Sequence, residues 1–129
     1  LTAYIGRFWP TNSNLRDLLQ EELAIFQSQR RTASNNLLDL SSIGVAYYTT
    51  TSRQQSSILQ ELQTALTDNQ EWVDVIQALW DNQRNLSEAA KSLYIHRNTL
   101  QYRMDKFTET TGLSLKETND LFLAYLLTI

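Results

Sequence analysis

The chain of 129 residues has no cysteine, one proline, three glycines and a single histidine. Without cysteine there is no disulfide scaffold, no thiolate nucleophile and no zinc–thiolate site. One histidine leaves no cluster from which to build an imidazole-rich metal centre, and no metal or other cofactor is expected. So little glycine and proline leaves helices uninterrupted, and the abundance of Leu, Gln, Glu and Ala favours them. No apolar run approaches the ~18 residues of a membrane span. The N-terminus lacks the basic region, apolar run and small-residue cleavage site of a signal peptide, so a cytoplasmic location is expected. A starting methionine is also missing, which points to an excised fragment. No carboxylates, imidazole and nucleophile stand together, and no glycine loop cradles a phosphate. An enzyme is therefore not expected.

What is present is ordinary for a folded domain: hydrophobic residues make up 42% and charged residues 19%, unlike a disordered chain. The net charge of -3 at first argues against nucleic acid, but its distribution matters more. Between Arg84 and Lys106 the cations Arg84, Lys91, Arg97, Arg103 and Lys106 outnumber the acids Glu88 and Asp105. A locally basic face on an acidic protein is compatible with DNA, though with weak and salt-sensitive non-specific affinity. Dimerisation would help such a domain by joining two weak half-sites.

Along the chain, Thr2–Ile5 is a short β-favouring run that stops at Gly6, either an edge strand of a larger sheet or an extended start. Asn14 can cap a helix whose apolar face carries Leu15, Leu18, Leu19, Leu23, Ile25 and Phe26, fading near Arg30–Thr32. A short helix is expected around Leu37–Ser41. Ile43–Thr51 is β-branched and aromatic and reads as a strand by propensity, yet only the N-terminal run could pair with it. Ser56–Leu66 is a clearer helix, and the next carries the stripe Trp72, Val73, Ile76, Leu79 and Trp80. Those tryptophans read as core.

Residues Asn85 to Phe107, NLSEAAKSLYIHRNTLQYRMDKF, hold two short helical segments at helix-turn-helix spacing, a device that lays one helix into the major groove. Asn85 and Glu88 have the form of a capping box, which makes Asn85 a structural cap rather than a base reader. Leu86, Ala90 and Leu93 face inward, and a small residue at Ala89 or Ala90 lets the motif helices cross. Tyr94-Ile95-His96 forms the turn without its usual glycine, so Tyr94 is expected to accept a less comfortable backbone. His96 precedes the second helix as a weak N-cap, a weakness that a phosphate-facing job would offset.

From Arg97 to about Thr110, Leu100, Met104 and Phe107 share one face and pack down. Arg97 suits guanine, Asn98 or Gln101 adenine, and Thr99 or Tyr102 a thymine methyl or a phosphate. Arg103 and Lys106 suit phosphates, while Asp105 limits deep contact to the first two turns. The bland alternative is a merely solvated basic face. Gly112 is expected to stop the helix in a left-handed conformation, and Ser114-Leu115-Lys116-Glu117 has capping-box form ahead of a last helix bearing Leu121, Phe122, Leu123, Tyr125, Leu126 and Leu127. Apolar residues cover most of that helix, so burial from more than one side is expected, in its own domain or in a homodimer.

At HRNTLQYR (His96–Arg103) and TGLSL (Thr111–Leu115), within a stretch matching from Asn85 to Leu127, the chain resembles the C-terminal helix-turn-helix domain of the PucR/CdaR family of bacterial transcriptional regulators. The resemblance implies double-stranded DNA as partner, with recognition roles on Arg97, Asn98, Thr99, Gln101, Tyr102 and Arg103 and with His96 opening the helix. It also implies that any small-molecule effector is sensed by upstream modules. YIGR at Tyr4–Arg7 and the helix from Leu15 look like the tail of the family's degenerate GGDEF-like middle domain. The IGVAYYTTTSR segment departs from the family's short leucine-rich link, where short helices are usual. The expected fold is mainly all-α, a helical bundle containing a helix-turn-helix, with residues 1–55 a helical remnant of the upstream domain, 56–70 a linking helix and 71–129 the DNA-binding domain. The rival function is a protein-interaction or ligand-sensing module that keeps the shape without binding DNA.

Overall fold

A computed structural model describes residues 1–33 and 35–129. Among the described residues there are two two-residue strands, β1 (Ala3–Tyr4) and β2 (Leu37–Leu38), and seven helices: α1 (Leu15–Gln29), α2 (Leu40–Gln55), α3 (Ser57–Thr67), α4 (Gln70–Asp81), α5 (Leu86–Ser92), α6 (Arg97–Thr111) and α7 (Thr118–Leu126). The fold is mainly all-α. No helix among the described residues is long and apolar enough to cross a membrane. The chain divides into two compact units, residues 1–51 and 52–129.

In the first unit β1 pairs in parallel with β2, Ala3 opposite Leu37 and Tyr4 opposite Leu38. The N-terminal run therefore is a strand, but its partner is the segment expected to be a short helix. That segment is extended because Asp39, not an earlier residue, starts the next helix. The Asp39 carboxylate accepts from the Ser42 amide at 2.9 Å, and the Ser42 hydroxyl accepts from the Asp39 amide at 3.0 Å, a reciprocal cap. The Ile43–Thr51 stretch lies inside α2, so its strand propensity is overridden. Ile43 and Tyr47 stand one turn apart and pack with Ile25 and Leu38. Thr49 and Thr50 return their hydroxyls to the carbonyls of Val45 and Ala46, both at 2.6 Å, which satisfies β-branched polar residues within a helix. Asn14 caps α1 as expected, accepting from the Asp17 amide. The apolar stripe of α1 is less buried than its pattern implies: Ile25 is in the core, whereas Leu15, Leu19 and Leu23 are exposed.

The second unit is built around α4. Val75, Ile76 and Leu79 are wholly buried and meet Ala89 and Ala90 of α5, Leu100, Met104 and Phe107 of α6, and Leu121, Ala124 and Leu127 of the last segment. α3 adds Leu66, with Leu59 and Leu62 at the margin. The tryptophans pack as expected: Trp72 meets Phe107 edge-on at 5.6 Å between ring centroids, and Trp80 stacks on Tyr125 at 4.2 Å. α7 begins later than its sequence form implies. Ser114–Glu117 is a turn closed by the Glu117 amide on the Ser114 carbonyl at 3.0 Å. The acid that reaches back is Asp120, accepting from the Ser114 amide at 2.9 Å, so Glu117 becomes the residue before the helix rather than its third.

Candidate nucleic-acid interface

The helix-turn-helix consists of α5, the turn 93–96 and α6. Asn85 caps α5 by accepting from the Glu88 amide at 3.0 Å. Only half of the expected capping box forms, because the Glu88 carboxylate turns to Lys91 at 3.2 Å instead. The Asn85 amide donates to the Asn82 carbonyl at 3.0 Å, which removes the need for it. Ala89 and Ala90 are both buried, so the close crossing of the motif helices rests on a pair of small residues.

The turn is a complete Schellman closure. The Ile95 amide donates to the Ala90 carbonyl and the Tyr94 amide to the Lys91 carbonyl, both at 3.1 Å. The residue that must turn left-handed in such a closure is usually glycine; here it is Tyr94, with φ of 55°. Ile95 is half-buried and packs on the core, tying the turn down. Two further non-glycine residues with positive φ, Gln83 and Arg84, follow α4.

His96 sits at the N-cap of α6, and its Nδ1 accepts from the Asn98 amide at 3.0 Å. A nitrogen that accepts carries no proton, so in the neutral ring the proton is on Nε2, free to donate outward. Leu100, Met104 and Phe107 form the floor of α6. Above it Arg97, Asn98, Thr99 and Tyr102 are exposed, Gln101 and Arg103 half-buried, and Lys106 exposed. The eight expected residues thus occupy one turn and one helix, six of them within its first two turns. Gly112 ends α6 with φ of 79°, where no side chain is easily accommodated.

Several of these side chains already have partners. Arg103 pairs with Glu71 of α4 at 2.9 Å, which ties α6 to α4. Gln101 donates to Asp105 at 2.9 Å. Lys106 lies 3.1 Å from Glu109 and 5.7 Å from the Tyr102 ring centroid. The hydrogen bond that Lys106 donates to Glu109, then the charge of Glu109, raise the Lys106 pKa. Arg97 has no ion pair among the described residues, which leaves it the most available cation at the front of the helix. Sequence reasoning missed Glu71, whose only signal was an acid in the first turn of α4; nothing along the chain joins it to Arg103.

Residues 72–128 match the family described as the PucR C-terminal helix-turn-helix domain. Over 98% of its length the chain is 34% identical to a protein named leucine-rich protein of Streptococcus dysgalactiae subsp. equisimilis, covering 45% of it. It is 37% identical over 62 residues to the purine catabolism regulatory protein of Bacillus subtilis, 48% of this chain and 12% of that protein. It is 50% identical over 36 residues to the carbohydrate diacid regulator of Escherichia coli, 28% of this chain and 9% of that protein. The chain spans less than half the length of these relatives. No solved structure matches it.

Proposed function

Because residues 72–128 belong to the PucR C-terminal helix-turn-helix family, we propose that the chain is the DNA-binding end of a transcriptional regulator and that α6 enters the major groove of double-stranded DNA sequence-specifically. The observation that carries this reading is the front of α6. A wholly buried floor fixes the helix, while Arg97, Asn98 and Thr99 stand exposed at its N-terminus, the part of a recognition helix that reaches base edges.

In this reading Arg97, Asn98 and Thr99 read bases, with Gln101 and Tyr102 on the flank of the groove. His96 donates Nε2–H to a phosphate, and Lys106 approaches the backbone. Arg103 must exchange Glu71 for a phosphate or remain a strut. Residues 1–55 are the end of a GGDEF-like regulatory domain, and 56–70 link it to the DNA-binding domain at 71–129. Any effector acts through parts of the regulator outside this chain. The regulator works in the cytoplasm as a homodimer on a two-fold site.

Selection of bound duplexes from a random pool tests the reading. Enrichment of one motif, repeated as a pseudo-palindrome, is the expected result. A pool that stays random at low salt would favour a helix-turn-helix kept for protein contacts.

A further inference from the structure

Tyr94 combines two features that folding alone does not reward. It adopts φ of 55°, a region that bulky L-residues rarely enter, and the residue is 97% exposed. A glycine would close the same two hydrogen bonds without a Cβ in conflict with the backbone. The ring returns no burial for that cost. Backbone strain of this kind clusters at functional sites, where something other than packing retains the residue.

Its place in the chain indicates what that is. Tyr94 lies two residues before His96, so their Cα atoms are at most about 7 Å apart. His96 in turn opens the helix whose first turn carries Arg97, Asn98 and Thr99. Ile95, between them, is half-buried and packed against the core, so the turn projects Tyr94 from a fixed base rather than from a loose loop. Resting on the DNA reading above, we propose that Tyr94 extends the interface: its phenol donates a hydrogen bond to a DNA phosphate beside the major groove. Tyrosine hydroxyls are ordinary donors to phosphate oxygens, and such contacts set register without reading sequence. The strained turn aims the ring, and Tyr94 is a positioning contact rather than a base reader.

The test uses the 129-residue chain, a duplex enriched by selection and a random-sequence duplex of equal length. Tyr94→Phe keeps the ring and the turn. It should leave melting unchanged and weaken both duplexes alike, by about ten-fold, the worth of one hydrogen bond to a charged oxygen. Tyr94→Gly should also weaken both, yet raise the melting temperature by about 4–8 °C as the left-handed strain is relieved. Tyr94→Asn, which tolerates the same backbone without glycine's freedom, should behave like Tyr94→Gly. Binding unchanged in Tyr94→Phe would overturn the phosphate contact, and a loss confined to the selected duplex would overturn it in favour of base reading. A lower melting temperature for both Tyr94→Gly and Tyr94→Asn would overturn the strain argument. A parent chain that binds neither duplex sinks the underlying DNA reading itself, which these outcomes keep separate.

Discussion

His96 caps α6 through Nδ1 while leaving Nε2–H for an outside acceptor, so its two roles are separable by substitution. Asparagine caps helices better than histidine, but with its amide oxygen used in the cap its shorter side chain holds the remaining N–H close to the backbone, short of the acceptor that Nε2–H would meet. His96→Asn should therefore keep or raise stability, by up to about 1 kcal/mol, while DNA affinity falls. Thermal melting alongside a fluorescence anisotropy titration checks both halves; unchanged affinity would leave His96 as a cap alone. Arg97 makes a sharper case, since it is exposed and has no ion pair among the described residues. Arg97→Ala should leave melting unchanged and cost about 1–3 kcal/mol on the selected site. Equal losses on selected and random DNA would reassign it to a phosphate. The left-handed Tyr94 and Gly112 were both legible along the chain, because turn chemistry is local. The pairing of Arg103 with Glu71 was not, since side chains distant in sequence meet only once α4 and α6 have packed.

Among the elements, α5 and α6 depend on two small side chains at their crossing, Ala89 and Ala90, both buried. Ala90→Leu should destabilise the second unit by roughly 1–3 kcal/mol through overpacking and weaken DNA binding by displacing α6. A calorimetric melt and a binding titration of the same sample test this; full retention of both would place the crossing elsewhere. The floor of α6 was readable because Leu100, Met104 and Phe107 repeat at helical spacing, and the structure buries all three. The elements of residues 37–51 were less so. Two-residue strands leave almost no alternating pattern, and the start of α2 depends on the reciprocal bonds of Asp39 and Ser42. Propensity alone made Ile43–Thr51 a strand, but contacts of Ile43 and Tyr47 in the core outweigh it, as tertiary packing commonly does. At the start of α7, Ser114 and Glu117 had the right spacing for a capping box. Asp120 supplied the better-placed acid.

For the molecule as a whole, much of the apolar surplus of α7 is absorbed within its own unit. Leu121, Ala124, Leu126 and Leu127 are buried, and Phe122 and Leu123 remain only 37% and 40% exposed. A homodimer through this helix would bury that remainder and could set two recognition helices about 34–36 Å apart. Light scattering across a dilution series, with and without the selected duplex, should show a dimer; a strict monomer under every condition would remove the two-fold arrangement. The ion pairs around α6 have a further consequence, for counterions. Lys91, Arg103 and Lys106 are each matched by a carboxylate, Glu88, Glu71 and Glu109. Each phosphate neutralised by a free cation ordinarily releases condensed ions, with a slope of about −0.9 in log K against log salt. A cation that leaves a glutamate for a phosphate strands the glutamate, which recruits an ion from solution and cancels the release. The slope per protomer should therefore be near −1, from Arg97, rather than the roughly −3.6 of four free cations. Replacing the three glutamates with glutamine should steepen it. With most of its cations already matched by carboxylates, α6 would lose affinity about ten-fold per protomer, rather than several-thousand-fold, for each ten-fold rise in salt.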